Sequence, residues 1–441
     1  MTTMRSKLMV MAALAVLCAP SPVWAQISTP ADVLAELKKL RTELDQARAE
    51  LQRLRADLDQ LKPAAPAEAP ALPAVVEMLQ SQVAEHAQTK VESASRMPLK
   101  IFGTIHSSVA GNSGEANWLE NPNIVAAEPA ATGSFSATLR QTRLGIRAEG
   151  LELGAWQGSG AVVFDFFGGT PGFQTGPVMG LPRLLYAFAR FERGAAAIHV
   201  GQDDMMLAPR NPTSVAALSF PLLFRSGNLY LRVPQARIES RLAGAEGAEL
   251  RASFGIVSPI GGDYRSAEYT FVPPALGGER SKMPAFQGRL AWQQGTEDRG
   301  TSLGFSAHYG RERLSADTVD SWAAAVDFNF QGERLGVSGE GFAGDNVDQF
   351  GGALGQVARS AGGFLEARVR PAVRWEVVFG GGSDKPRDAV TLLRNTSAYT
   401  SLTFRPVPEV ATSLEYRWLE TRAGAAKRRN NHLNWALVYS F

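Results

Sequence analysis

The sequence predicts an all-β transmembrane barrel of about sixteen antiparallel strands, preceded by an α-helical coiled-coil segment. Three observations carry that prediction. The chain ends on a strand with one greasy face, and the joins between alternating segments are short at one end and long at the other. After an N-terminal export signal, no window offers eighteen uncharged apolar residues in a row, so a membrane crossing must use strands closed on themselves.

The N-terminus sets the compartment. Arg5 and Lys7 precede the short apolar run Leu8 to Ala19, and Pro20 to Ala25 ends on Val23-Trp24-Ala25, a small-residue cleavage site. This is a secretory signal peptide over residues 1–25 rather than a spanning helix. Cys18, the single cysteine, lies within it, and Leu17 stands where a lipoprotein site needs Gly or Ala. The mature chain is expected to have neither disulfide nor thiolate chemistry.

Residues 26–62 read as a periplasmic coiled coil. Leu37, Leu40, Leu44, Leu51, Leu54, Leu58 and Leu61 step by three and four, with Ala47 in the gap, and the residues between them are nearly all charged, Gln or Ala. Leucine at both seam positions leaves the strand number open, and a trimer is compatible with it. Residues 63–73 form a Pro/Ala-rich linker that cannot propagate helix. A second short helical segment at 74–97 places Val76, Leu79 and Val83 on one stripe, then His86 and Lys90 as its apolar character fades. Pro98 opens the barrel at 98–441, because the residue before a proline avoids helix.

The last strand shows the barrel logic plainly. Leu433, Trp435, Leu437, Tyr439 and Phe441 share one face, against Asn434, Ala436, Val438 and Ser440 on the other. Water would fray such an end, whereas a barrel closes it against the first strand and turns its aromatic face to lipid. The first strand is Leu99 to Val109. Others follow near 135–149, 158–168, 182–192, 195–202, 233–244, 247–257, 283–294, 300–313, 318–329, 333–343, 361–371, 373–382, 395–406, 408–420 and 430–441. Short joins at Arg193-Gly194, Ala245-Glu246, Gln331-Gly332 and Pro406-Val407 alternate with long ones near 110–134, 169–181, 203–232, 258–282, 344–360 and 383–394. The long segment 203–232 is unusually apolar from Asp203 to Phe224, and it either folds into the lumen or packs at a subunit contact.

The inward faces carry charge. Along 135–149 the apolar phase changes: Phe135, Ala137 and Leu139 are outward before the middle, and Leu144, Ile146 and Ala148 after it. A one-residue bulge near Gln141-Thr142 repairs the phase and turns Arg140, Arg143 and Arg147 inward. Strand phase likewise turns Arg237, Arg241, Arg289, Arg368 and Arg370 inward, with Glu239 and Glu366 beside them. The barrel holds 30 Arg, 4 Lys and 32 Asp plus Glu. Its net charge is only +2, so clustering rather than total charge matters. Two readings stay open: an arginine-lined path that favours anions, or arginines that merely neutralise Glu149, Asp165, Glu239, Glu366 and Glu415.

Other chemistries find little support. The whole chain has a net charge of +2, which argues against nucleic acid as a partner. His86, His106, His199, His308 and His432 are scattered with no HExxH, so no metal site, cofactor or catalytic group is expected. The turn Gly168-Gly169-Thr170-Pro171-Gly172 lacks the lysine and helix of a phosphate loop.

Several runs together resemble the DcaP-like outer-membrane porins of Gram-negative bacteria. They are the heptad stalk, the proline break, the entry Leu99-Lys-Ile-Phe-Gly-Thr-Ile105, the run Leu139-Arg-Gln-Thr-Arg-Leu-Gly-Ile146, the Gly201-Gln202-Asp203 turn and the terminal Phe441. The resemblance implies a sixteen-stranded homotrimer in the outer membrane with a periplasmic coiled coil, passing small organic anions such as dicarboxylates. Outer-membrane lipid and, through Phe441, the barrel-assembly machinery are the expected partners. The competing expectation is an envelope-anchoring protein whose barrel only holds a periplasmic tether.

Overall fold

Period-two alternation of apolar and polar residues makes almost every segment after Leu99 a strand with one face for lipid and one for the interior. The computed structural model describes residues 99–125, 133–169, 180–245, 247–259, 275–314, 316–388 and 391–441, together with Asp45, Ala49 and Gln52. The chain divides into two units, Met1–Ala84 and Glu85–Phe441. In the first, Asp45, Ala49 and Gln52 are helical and exposed, and all three lie off the predicted leucine seam. The signal peptide, the rest of the coiled coil, the Pro/Ala linker and the segment 74–97 lie outside the described residues.

The barrel strands are β1 (Leu99–Asn112), β2 (Ser134–Thr138), β3 (Arg143–Leu153), β4 (Trp156–Asp165), β5 (Arg183–Arg193) and β6 (Ala196–Asp204). They continue as β7 (Arg232–Ala245), β8 (Ala248–Val257), β9 (Ala285–Gly295), β10 (Gly300–Leu314), β11 (Asp317–Gln331) and β12 (Leu335–Asp345). The last five are β13 (Arg359–Ala372), β14 (Trp375–Pro386), β15 (Leu392–Val407), β16 (Val410–Ala423) and β17 (Ala426–Ser440). Each pairs antiparallel with its neighbours, and β17 returns to β1 with Thr104 opposite Ser440 and Asn112 opposite His432. The amide of Phe441 donates to the Gly103 carbonyl at 3.0 Å and the Phe441 carbonyl oxygen accepts the Gly103 amide at 2.9 Å, so pairing runs to the final residue. Strands β2 and β3 both pair with β1, making them halves of one strand in a closed barrel of sixteen.

The phase change seen in the sequence has a direct cause. Ser108 faces Thr138 and Thr104 faces Arg143, so four steps on β1 match five on its partner. The extra residue lies in the turn Leu139 to Thr142, where the Thr142 amide donates to the Leu139 carbonyl (2.9 Å). This bulge keeps Thr138 and Arg143 on the same side of the wall despite their odd spacing.

Outward positions form the lipid face: Ile101, Ile105, Phe135, Ile146, Ile238, Phe254, Leu303, Val326, Leu365, Trp435 and Tyr439 are all exposed. No helix among the described residues is long and apolar enough to cross a membrane. One end of the barrel carries tight turns, including 154–155, 194–195, 332–334, 373–374 and 408–409. The other end carries most of the long connections, with two departures from the expected asymmetry. There β10 ends at Leu314 and β11 begins at Asp317, and β16 joins β17 through 424–425.

The connection 205–231 folds into the lumen. Each apolar cluster among the described residues inside the barrel is built on it or on the strand ends beside it. Met205, Leu207, Ala208 and Leu229 pack on Ala323, Ala325, Phe342 and Phe350, and Val215 and Ala216 on Ala411, Ala436 and Val438. Leu222 and Leu223 pack on Phe364, Val378 and Tyr399, and Met206 on Val233, Val257 and Ala285. Its apolar composition is therefore that of a core, and small inward residues such as Ala436 make room for it.

Gly227 fixes the closest approach of this loop to the wall. It has φ +102°, and a Cβ there would collide with the Gly363 carbonyl on β13. Gly227→Ala is expected to cost roughly 1–3 kcal/mol through strain and displacement of the loop. The temperature at which the folded barrel loses its compact gel mobility should fall by a few degrees, and an unchanged transition would mean that the loop does not depend on this contact.

Candidate functional site

A loop inside a barrel must satisfy its backbone polar groups against the wall, and this wall supplies acceptors at the required places. Gln287 on β9 accepts the amides of Met206 (2.8 Å) and Leu207 (3.1 Å), and Ser306 accepts that of Ala208 (3.0 Å). Glu340 accepts the Arg210 amide at 2.9 Å, and Glu366 accepts both the amide and the hydroxyl of Thr213 at 2.7 Å. Glu415 accepts the Ser214 hydroxyl (2.7 Å), and His106 contacts the Val215 carbonyl (3.0 Å). Gln141, inside the bulge, accepts the amides of Leu218 (2.7 Å) and Ser219 (3.0 Å) and donates to the Ala216 carbonyl (2.7 Å). Asp165 closes the series on the Ser219 hydroxyl at 2.8 Å. These wall groups are all buried. The loop thus touches most of the inner circumference and narrows the channel.

On the turn-end side of this constriction lies a cavity of about 660 Å³. Six arginines line it: Arg190, Arg210, Arg237, Arg241, Arg251 and Arg289. Five carboxylates face them, Glu192, Asp203, Asp204, Glu239 and Glu297. Most of the guanidiniums are held. Arg237 reaches Asp203 (3.0 Å) and Glu239 (2.7 Å), and Arg190 reaches Glu192 (2.6 Å) and Glu239 (2.5 Å). Arg289 forks onto Asp327 (2.5 and 3.0 Å), which also takes Arg210 (3.2 Å). Arg251 pairs with Glu249. Arg241 differs: it is exposed, donates to the Gly194 carbonyl at 3.1 Å, and forms no ion pair among the described residues.

Of the sequence-predicted arginines, the structure therefore brings Arg237, Arg241 and Arg289 into one cavity. It separates the rest. Arg140 bonds Glu120 (Nε to Oε1 3.0 Å) and lies over the Phe167 ring at 4.5 Å. Arg143 donates to the Leu218 carbonyl and so anchors the constricting loop. Arg147 stays half-exposed, 3.6 Å from Glu149 and 5.3 Å from the Phe102 ring centre. The three therefore face the interior with different partners rather than as one free stripe. Arg368 donates to the Thr213 hydroxyl at 2.5 Å and lies 3.6 Å from Glu376, which also holds Arg370 at 3.1 Å.

Strand phase did not single out Arg190 and Arg251, and Arg210 lies in a loop where phase says nothing. Near the loop end a second group mixes arginine with aromatic rings. Trp118, Phe167 and Phe220 pack within 5.8 Å of one another, and Arg183 lies 4.7 Å over Phe220 while bonding Asp165 at 2.6 Å. Within the loop, burial lowers the Arg225 guanidinium below its ordinary range while Asp348 opposes that shift, and burial raises the Tyr230 phenol. Among the described residues no group of His, Cys, Asp or Glu could hold a metal.

No protein-family profile matches the sequence, and no curated protein matches it. Solved structures do match. The outer-membrane channel DcaP of Acinetobacter baumannii aligns with TM-score 0.63 at 14% identity, covering 78% of this chain and 97% of that one. An anion-selective porin from Comamonas acidovorans aligns with TM-score 0.53 at 12% identity, covering 78% and 100%. Salmonella typhi OmpF, solved with daunomycin, gives 0.53 at 9% identity, covering 78% and 98%. The chain has the fold of outer-membrane porins, with DcaP among its structural neighbours.

Proposed function

We propose that this protein is an outer-membrane porin for small hydrophilic solutes, favouring organic anions such as dicarboxylates. The observation that carries the reading is the cavity of six arginines beside an inward-folded loop. A constriction forces a solute close to the wall, where a guanidinium fork matches a carboxylate in a field focused by the low-dielectric barrel. The neighbour described as an anion-selective porin supports the same reading. Arg237, Arg241, Arg289 and Arg147 are the guiding groups. Arg140, Arg143, Arg368 and Arg370 hold the inner architecture on which the path depends. The barrels associate as a homotrimer, with Leu37 to Leu61 as the stalk on the periplasmic side.

Reversal potential under a salt gradient across a planar bilayer tests selectivity directly. Replacing Arg147 and Arg241 together with Gln should lower anion-over-cation preference about two- to fivefold at low salt, with the difference shrinking as screening grows. A wild-type reversal potential in that variant would remove both residues from the path.

Glu366→Ala leaves the Thr213 amide, Ser338 and Tyr399 without their shared acceptor, and each orphaned group costs about 1–3 kcal/mol. The loop should loosen, giving larger and noisier single-channel steps; unchanged steps would show that the loop does not set the aperture. Deleting residues 26–95 should weaken trimer assembly and leave the circular dichroism of the barrel intact. Loss of all β signal would place the stalk in the folding core instead.

A further inference from the structure

The turn-end cavity carries more negative charge than an anion path needs, and two of its carboxylates are only half engaged. Glu239 takes Arg237 on one oxygen (2.7 Å) and Arg190 on the other (2.5 Å), and Asp203 takes Arg237 (3.0 Å) and the Asp204 amide (2.8 Å). Asp204 accepts the Tyr186 hydroxyl at 2.9 Å and lies 3.2 Å from Arg232. These three are fixed parts of the wall. Glu192 and Glu297 differ. Glu192 accepts Arg190 on Oε1 alone (2.6 Å), and Glu297 accepts Arg210 on Oε2 alone (2.9 Å). Among the described residues no donor reaches the second oxygen of either, and their side chains are 54% and 61% exposed.

Between these two free oxygens the wall offers cationic groups. Register sets Arg241 on β7 directly opposite Arg251 on β8, and both are exposed. Arg251 pairs with Glu249 on its own strand, whereas Arg241 has only the Gly194 carbonyl. Like charges facing each other across strands repel, so an anion set between the two arginines relieves them. Glu192 lies on β5, two strands to one side of Arg241, and Glu297 lies in the turn after β9, on the far side of Arg251. All four line the one cavity. Neighbouring strands are about 4.8 Å apart, so two strands separate the backbones of Glu192 and Arg241 by roughly 10 Å. The extended arms of an arginine and a glutamate close most of that span, leaving a gap of the size of a small solute.

We propose that this cavity is a binding site for amino dicarboxylates, solutes with two carboxylates and one ammonium, and that it prefers them to plain dicarboxylates of the same length. Arg241 and Arg251 donate to the carboxylates, and the free oxygens of Glu192 and Glu297 accept from the ammonium in charge-assisted hydrogen bonds. A plain dicarboxylate satisfies the arginines but sets its own negative charge beside Glu192 and Glu297 with nothing to offer them, and that like-charge contact lowers its affinity. The inference rests on the proposed permeation of organic anions through this lumen and narrows their class.

The test uses the full chain in planar bilayers, with L-glutamate and glutarate as probes on both sides, and reads the concentration of each that half-blocks the single-channel current. The two share a five-carbon chain with a carboxylate at each end and differ in the α-ammonium. A field of positive charge alone favours glutarate, which carries the larger negative charge. The mixed site reverses that order: wild type should bind L-glutamate about threefold more tightly than glutarate at low salt. Combining Glu192→Gln with Glu297→Gln should abolish the preference and leave glutarate the tighter ligand, and the wild-type comparison stands without any variant. Equal or tighter binding of glutarate by wild type overturns the site and leaves the anion reading intact. A preference for L-glutamate that survives in the double variant overturns the assignment to Glu192 and Glu297. Block by neither probe overturns the proposal as well, and a cation-selective reversal potential in the same protein would show that the anion reading fails with it.

Discussion

The structure depends on the seating of one loop against the barrel wall. Sixteen strands of this size close around a lumen too wide for side chains alone to fill. Here the remaining space is occupied by 205–231, which supplies members of each apolar cluster among the described residues inside the barrel. Apolar packing alone would let such a segment slide along the wall. The hydrogen bonds that Gln141, Asp165, Gln287, Glu340, Glu366 and Glu415 accept from it fix its path, because a buried acceptor that loses its donors is costly. The acidic wall positions are therefore as much part of the constriction as the loop itself.

That arrangement explains the bulge after β2. Without the extra residue the strand would keep one phase through 138–143, and Arg143 would turn toward lipid where a charge is expensive. With it, Gln141 and Arg143 both reach the loop, at Leu218 and its neighbours. The same residues appear in the sequence as a cluster of arginines interrupting an alternating strand. Their shared inward direction was legible. Their partners were not, because strand phase gives a direction and no destination.

How much could be read from sequence follows the range of each signal. Strand positions came from period-two alternation, a local property, and most matched the observed elements within a few residues. The β1 to β17 closure was legible from the greasy face ending at Phe441. The fate of 205–231 was not, since its apolar residues suit a lumen or a subunit contact equally well, and only the matching small residues Ala411, Ala436 and Val438 on distant strands decide between them. The cavity was half legible: Arg237, Arg241 and Arg289 follow from phase. Arg210 comes from the loop, and Arg190 lies on β5, where an irregular register opposite β4 blurs the alternation.

Arginine pairing inside the lumen sharpens what an anion path requires. Six guanidiniums against five carboxylates leave the cavity nearly neutral, so a simple count of arginines overstates its positive field. Paired groups such as Arg289 with Asp327 act mainly as fixed dipoles, orienting a solute without attracting it from a distance. Long-range attraction falls to cations without a committed counter-charge, and Arg241 at the turn-end mouth is such a group among the described residues. The two sequence readings, a neutralised interior and an anion path, are therefore compatible within one lumen. Paired arginines keep the loop and walls in register, and in the proposed anion path the unpaired arginine at the mouth is the group that would supply the bias.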